Sequence, residues 1–285
     1  MTDKILALVD GSAYSDSVCR HAAWIAARLN AAVDVMHVIG RREGGGSAQN
    51  LSGALTLGAR SALLEELAAT DAQRARLAQA RGRAILDDAQ ALLGADGQAS
   101  VTPHLRRGDL LEEVRQAEPG LRAIVIGKRG EGADFASGHL GSNLERIVRA
   151  VSVPVFVAAR AFRPIGRVLV AFDGSVSARK AIARMADSPV FRGLQITVLH
   201  VDTGAGPLGA AMDQAMAQLT DAGLDATARI LPGHPDEVLQ KLVTDEGFDL
   251  LVMGAYGHSR IRQLIIGSTT TALVQAVTIP VLLYR

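Results

Sequence analysis

The chain has 285 residues, 48% hydrophobic and 21% charged, enough for one large globular domain or two ordinary ones. Its 30 Lys and Arg nearly cancel 29 Asp and Glu, and aromatic residues make up 4%. Charge balance speaks against broad capture of nucleic acid or an anionic membrane, and scarce rings speak against base-stacking platforms. The single cysteine, Cys19, excludes an intramolecular disulfide framework and a cysteine-based zinc site.

In chain order, the first element is KILALVDGS at residues 4–12, an apolar run too short for a signal peptide or a membrane span. A soluble cytoplasmic protein is therefore expected. Cys19 falls in the helical stretch that follows and reads as buried and inert. VMHV (35–38) reads as a second strand. The flexible, polar RREGGGSAQN comes next, followed by helical spacing through Leu57, Leu64, Leu67, Leu77, Ile85, Leu86, Ala89 and Leu93. Thr70 followed by Gln73 fits a capping box, which predicts one additional helix and then an extended second one.

From residue 106 onward the earlier blocks acquire partners. RRGDLLEEV (106–114) faces LPGHPDEVL (231–239), AIVIGKRG (123–130) faces LLVMGAYG (250–257), and SVPVFVAAR (152–160) faces TIPVLLYR (278–285). KILALVDGS itself returns as RVLVAFDGS at 167–175, and VMHV returns as VLHV at 198–201. Five blocks in the same order define a repeat. The first copy spans residues 1–160 with a helical insertion at about 40–98, and the second spans 166–285. Pro164 and Gly166 punctuate the joint.

In the second copy, strands are predicted at about 167–172, 195–201, 226–231, 249–253 and 280–284, with helices at about 176–187, 208–222, 235–245 and 268–277. Continuous apolar strands alternating with helices give an α/β class: two doubly wound, mostly parallel five-stranded sheet domains in tandem. Ligands of such sheets bind beyond the carboxyl ends of strands. There the chain places GAYGHSRIRQLIIGST, with Gly254, Gly257 and Gly267 followed by Ser268, Thr269 and Thr270. Glycines let backbone approach a ligand closely, and a helix N-terminus favours an anion. The same pattern also serves as ordinary strand-exit and helix-cap punctuation. GAGPLG at 204–209 matches a dinucleotide fingerprint but follows the second strand of its copy and contains Pro207, so it reads as a loop. The histidines show no metal-ligand spacing; His37 and His200 repeat at strand ends, as packing or pocket wall. No nucleophile has a recognisable base, so no catalytic residue and no metal ligand is assigned.

Each half resembles a universal stress protein domain. The resemblance rests on Gly254, Gly257, Gly267 and Ser268 at the spacing of the family's ATP-binding members, on AFDGS, on the strand ending in His200-Val201, and on the Pro-Val of the last strand. It implies adenine-nucleotide α-hydrolase-like, flavodoxin-like layering. It further implies that Asp173 lies beside the adenosine and orients a metal-bound water, and that the Val201 main chain meets the adenine edge. Gly254 and Gly257 would line ribose and phosphates, with Gly267, Ser268, Thr269 and Thr270 on the phosphate tail. In the first copy the candidates are Asp10, Val38, Gly127, Gly130, Gly141 and Ser142, with Lys128 and Arg129 beside the phosphates. One extra residue separates Gly130 from Gly141, and Asn143 replaces the first threonine. That loop either still binds nucleotide or has its walls out of register.

The function implied is a cytoplasmic stress-response regulator that binds ATP, with or without magnesium, and acts through conformation or partners. The rival readings are a slow ATP hydrolase or phosphotransfer enzyme, which would need Asp173, and a nucleotide-free interaction module. The apolar last strands would be exposed edges unless paired, so an internal pseudo-dimer is expected, with a homodimer as a further association.

Overall fold

The computed structural model describes residues 3–40, 57–97, 100–130, 141–202, 204, 208–255 and 268–285. The first copy contributes β1 (Lys4–Leu8), α1 (Ser15–Leu29), β2 (Ala32–Gly40), α2 (Leu57–Ala95), β3 (Val101–Gly108) and α3 (Leu110–Ala117). It closes with β4 (Leu121–Gly127), α4 (Ser142–Ala150) and β5 (Val155–Ala158). The second copy runs β6 (Arg167–Ala171), α5 (Val176–Ala186), β7 (Gln195–Asp202), α6 (Gly209–Asp221) and β8 (Asp225–Pro232). It ends with α7 (Pro235–Glu246), β9 (Leu250–Gly254), α8 (Ser268–Ala276) and β10 (Val281–Tyr284).

All ten strands form one sheet in the order β3-β2-β1-β4-β5-β10-β9-β6-β7-β8. Within each copy every pairing is parallel; β5 and β10 pair antiparallel, with Leu282 opposite Phe156. The last strands therefore join the two copies, as edge chemistry demands of apolar strands. Central strands are buried on both faces, so they read as continuous apolar runs such as ILAL (5–8). The outermost strands, β3 and β8, are partly exposed and contain no buried residue.

Two apolar layers cover the sheet, and each spans both copies. One packs residues of α1, α2, α5 and α6 with Phe156, Leu282 and Tyr284; the other gathers α3, α4, α7 and α8 with Val155, Val157, Val281 and Leu283. In each copy the chain leaves the central strand on one side, then returns to the other side for its fourth strand. The switch points are thus β1/β4 and β6/β9.

The insertion departs from expectation. It forms one continuous 39-residue helix rather than two. Thr70 does not cap; its hydroxyl donates to the Glu66 carbonyl at 2.9 Å, one turn back in the same helix. The residues around it, EELAATDAQRARLAQAR, are strong helix formers without Gly or Pro, so nothing interrupts the ladder. Leu86, Ala89 and Leu93 bury against the sheet, whereas most residues from 65 to 81 are exposed. Gly82 meets Leu105 and His37 toward the carboxyl ends of β3 and β2, and Gln79 accepts from Arg107 of β3 at 3.0 Å.

Candidate functional site

Strand register brings three of the second-copy candidates together. Ala171 is opposite both Leu199 and Met253, so Asp173, Val201 and Gly254 leave the carboxyl edges of three adjacent strands. They flank the β6/β9 switch point. Asp173 is exposed, and its carboxylate accepts from the Ser175 amide at 3.0 Å, which shapes the turn. Gly174 takes a φ of +69°, open to glycine. Ser175 then caps α5, accepting from the Ala178 amide at 3.2 Å. Ser268, Thr269 and Thr270 form the first turn of α8, with Thr270 buried. Gly257 and Gly267, with Arg260 and Arg262, lie outside the described residues.

The requirement for glycine at 254 has a packing cause. A Cβ there would stand 2.3 Å from Ser177 Oγ and 3.0 Å from the Ala178 amide nitrogen. The start of α5 therefore crosses the end of β9 too closely for any side chain. His200 adds a wall that sequence reading assigned no chemistry. Its Nδ1 sits 3.2 Å from the Phe172 carbonyl and must donate, because a carbonyl only accepts. Nε2 is buried and without a partner among the described residues, one residue before Val201, and in the neutral imidazole it is the acceptor nitrogen.

The first copy repeats the framework and then diverges. Leu8 is opposite Met36 and Ile126, so Asp10, Val38 and Gly127 share an edge in the same way. His37 Nδ1 contacts the Val9 carbonyl at 2.9 Å. Asp10 accepts from the Ser12 amide at 3.0 Å. Here three glycines make close approaches. A Cβ on Gly130 would lie 2.9 Å from Asp10 Oδ2, one on Gly11 would lie 2.8 Å from Ile85 Cδ1, and one on Gly82 would lie 2.9 Å from His37 Cδ2. Gly130 packs against Asp10, and α2 lies against both the Asp-Gly-Ser turn and His37.

Lys128, expected beside phosphate, instead donates to the Val277 carbonyl at the end of α8, in the other copy. Burial, and secondarily Arg129, lowers its pKa to about 8. Gly141 precedes α4, where Ser142 is exposed and makes no side-chain cap, while residues 131–140 lie outside the described set. Cys19 is buried as expected; burial, reinforced by Asp16 and Asp96, raises its thiol pKa to about 12, so it stays a thiol at neutral pH. Among the described residues no cluster of three or more His, Cys, Asp or Glu forms a metal site. No helix among the described residues is long and apolar enough to cross a membrane.

Doubly wound parallel strands with acidic turns and glycines at their switch points define a tandem α/β protein. The chain belongs to the universal stress protein family, whose family model matches residues 1–159 and again 164–285. A universal stress protein of Synechocystis sp. is 36% identical over 284 residues, covering 99% of each chain. One from Mycolicibacterium smegmatis is 25% identical, across 99% of this chain and 96% of its own length. The crystal structure of a universal stress protein from Archaeoglobus fulgidus shares the fold with a TM-score of 0.69, 18% identity, and coverage of 99% and 96%.

Proposed function

We propose that this chain is a cytoplasmic regulator that binds one ATP in its second copy and acts through conformation or partner contacts rather than turnover. The observation that carries the reading is the convergence of Asp173, Val201 and Gly254 at one switch point, in the copy whose glycine spacing is intact. The buried His200 Nε2, without a partner among the described residues, supports it, because in the neutral imidazole it is an acceptor suited to an exocyclic amine. Asp173, Val201, Gly254, Gly257, Gly267, Ser268, Thr269 and Thr270 would hold the nucleotide. The N-terminus of α8 would supply amides and about half a positive charge to the phosphate tail. Magnesium, if bound, would neutralise phosphate charge, with Asp173 as the nearby carboxylate.

The first copy is closed to nucleotide in this reading. The close contacts of Gly130 with Asp10, and of α2 with Gly11 and His37, support it. Lys128 serves the seam instead.

Calorimetric titration with ATP tests the proposal. One site per chain is expected, and ATP at a hundred times its dissociation constant should add about 2.7 kcal/mol to stability. Gly267→Val should abolish both effects while leaving the ligand-free melting curve in place. Two sites per chain would overturn the asymmetry. Absence of binding by the parent chain, or a variant that binds as the parent does, would overturn the site.

A further inference from the structure

A cavity lies on the seam between the copies; it shares no residue with the site just described, although Tyr284 in its wall is opposite Gly254 in strand register. It has a volume of about 310 Å³, at the lower end of the roughly 300–1,000 Å³ common for small-molecule pockets. Its apolar lining comes from Trp24, Ile25 and Leu29 of α1, Phe156 and Leu282 on the antiparallel strand pair, and Phe191. Arg122, Lys180, Arg184 and Arg285 also line it, and no Asp or Glu side chain does.

Two of these cations are already engaged. Arg122 Nε stands 3.7 Å from Asp3, and Arg285 donates to the Val151 carbonyl at 3.4 Å. Lys180 and Arg184, one turn apart on exposed positions of α5, have no ion-pair or hydrogen-bond partner among the described residues. Tyr284 supplies a further polar group. It is 6% exposed and lines the cavity, and its hydroxyl has no hydrogen-bond partner among the described residues. Arg184 and Arg122 are close enough to act on that phenol electrostatically.

The pseudo-symmetry of the chain shows that this arrangement is peculiar to one side. At the offset of 163 residues that relates the first strands, Arg184 corresponds to His21 and Lys180 to Ser17. At the offset of 126 that relates the last strands, Tyr284 corresponds to Ala158. On that side the linker covers the seam: the Phe162 ring packs edge-on against His21 at 5.0 Å, and Phe156 lies 5.0 Å from the same imidazole. His21 and Ser17 bond to each other, and both are buried. One side of the seam is thus filled by an aromatic side chain of the protein. Its counterpart is a cavity with unpaired cations at the mouth and an unpaired phenol inside.

We infer that this cavity binds a small amphipathic carboxylate, its apolar body over Phe156, Leu282 and Trp24 and its head group met by Lys180, Arg184 and the Tyr284 hydroxyl. The apolar floor accepts an alkyl or aromatic body. A carboxylate head accepts charge-assisted hydrogen bonds from guanidinium, ammonium and phenol, which an alcohol of the same length receives far less strongly. It shares no lining residue with the proposed ATP site, so either proposal can fail without the other.

Trp24, the single tryptophan, reports directly on the cavity. Decanoate, titrated below its micellar range into the full chain, should change Trp24 emission saturably and give a one-to-one adduct by native mass spectrometry. Each added methylene from octanoate to decanoate should tighten binding about fourfold, as burial of the body requires. The double variant Lys180→Glu, Arg184→Glu, at exposed positions, should weaken decanoate by about tenfold or more. Tyr284→Phe, which keeps the ring, should weaken it severalfold. Decanol should bind at least about tenfold more weakly than decanoate, and saturating ATP should leave the titration unchanged. No saturable signal and no adduct would overturn the inference. So would equal binding of decanol, or indifference to charge reversal in a variant with unchanged circular dichroism.

Discussion

At the scale of single residues, two buried histidines share one feature: each has an Nε2 without a partner among the described residues. His200 holds it beside a strand edge where a ligand is proposed, whereas His21 is enclosed between Phe156 and Phe162. Burial lowers the His21 pKa to about 4, opposed by its bond to the Ser17 carbonyl. A neutral imidazole is therefore required by the fold. The unfolded chain takes up the proton near pH 6.5, the folded one near 4, so stability is complete above 6.5 and declines as pH falls between these values. The linked loss approaches about 3 kcal/mol at the acid end. In urea melts at pH 7 and pH 4.5, His21→Leu should show a smaller acid loss than the parent. An identical pH dependence would remove His21 as its cause. Gly254 carries a different lesson. Its neighbour Ser177 forbids a side chain whether or not nucleotide binds, so a substitution there would report on packing as much as on the ligand.

Among the elements, α2 shows how a local cap signal loses to a global one. The Thr-x-x-Gln pattern at 70–73 fits a capping box, yet the backbone on both sides stays helical and the hydroxyl bonds back to Glu66. A cap needs a preceding break in the ladder, and no Gly or Pro is near to make one. Thr70→Ala at this exposed position should therefore stabilise helix α2 by about 0.5 kcal/mol, seen as equal or greater helicity and melting temperature. Loss of about 1 kcal/mol would instead show that Thr70 caps after all. The same helix makes the two copies unequal, since its entry into the sheet layer places Ile85 and Gly82 against the first-copy turn and His37.

At the level of the whole molecule, the seam makes one cooperative body from two repeats. Beyond the β5–β10 ladder, each copy sends a cation to a helix end of the other: Lys128 to the Val277 carbonyl after α8, and Arg285 to the Val151 carbonyl after α4. Cations suit those carbonyl-rich ends. Arg28 adds two bonds, both at 2.9 Å, to the Val190 and Arg192 carbonyls. Phe156, 1% exposed, stands at the centre of this seam. Phe156→Ala should cost about 3–5 kcal/mol and lower the unfolding of both copies together in a single calorimetric transition. Two separate transitions in the parent chain would show that the seam does not couple the halves.

Much of this architecture was legible in residue order. Five recurring blocks revealed the duplication, apolar runs revealed central strands, and glycine spacing marked the second-copy edge as the place to look. Those features depend on local periodicity and on repetition, both written along the chain. Which edge groups converge was settled by strand register, which placed Asp173, Val201 and Gly254 side by side. Tertiary structure alone sent Lys128 to the opposite copy, laid α2 over the first-copy turn, and filled one side of the seam with Phe162 while leaving the other open. Contacts between residues more than a hundred positions apart depend on how layers pack, and no local pattern in the sequence encodes that.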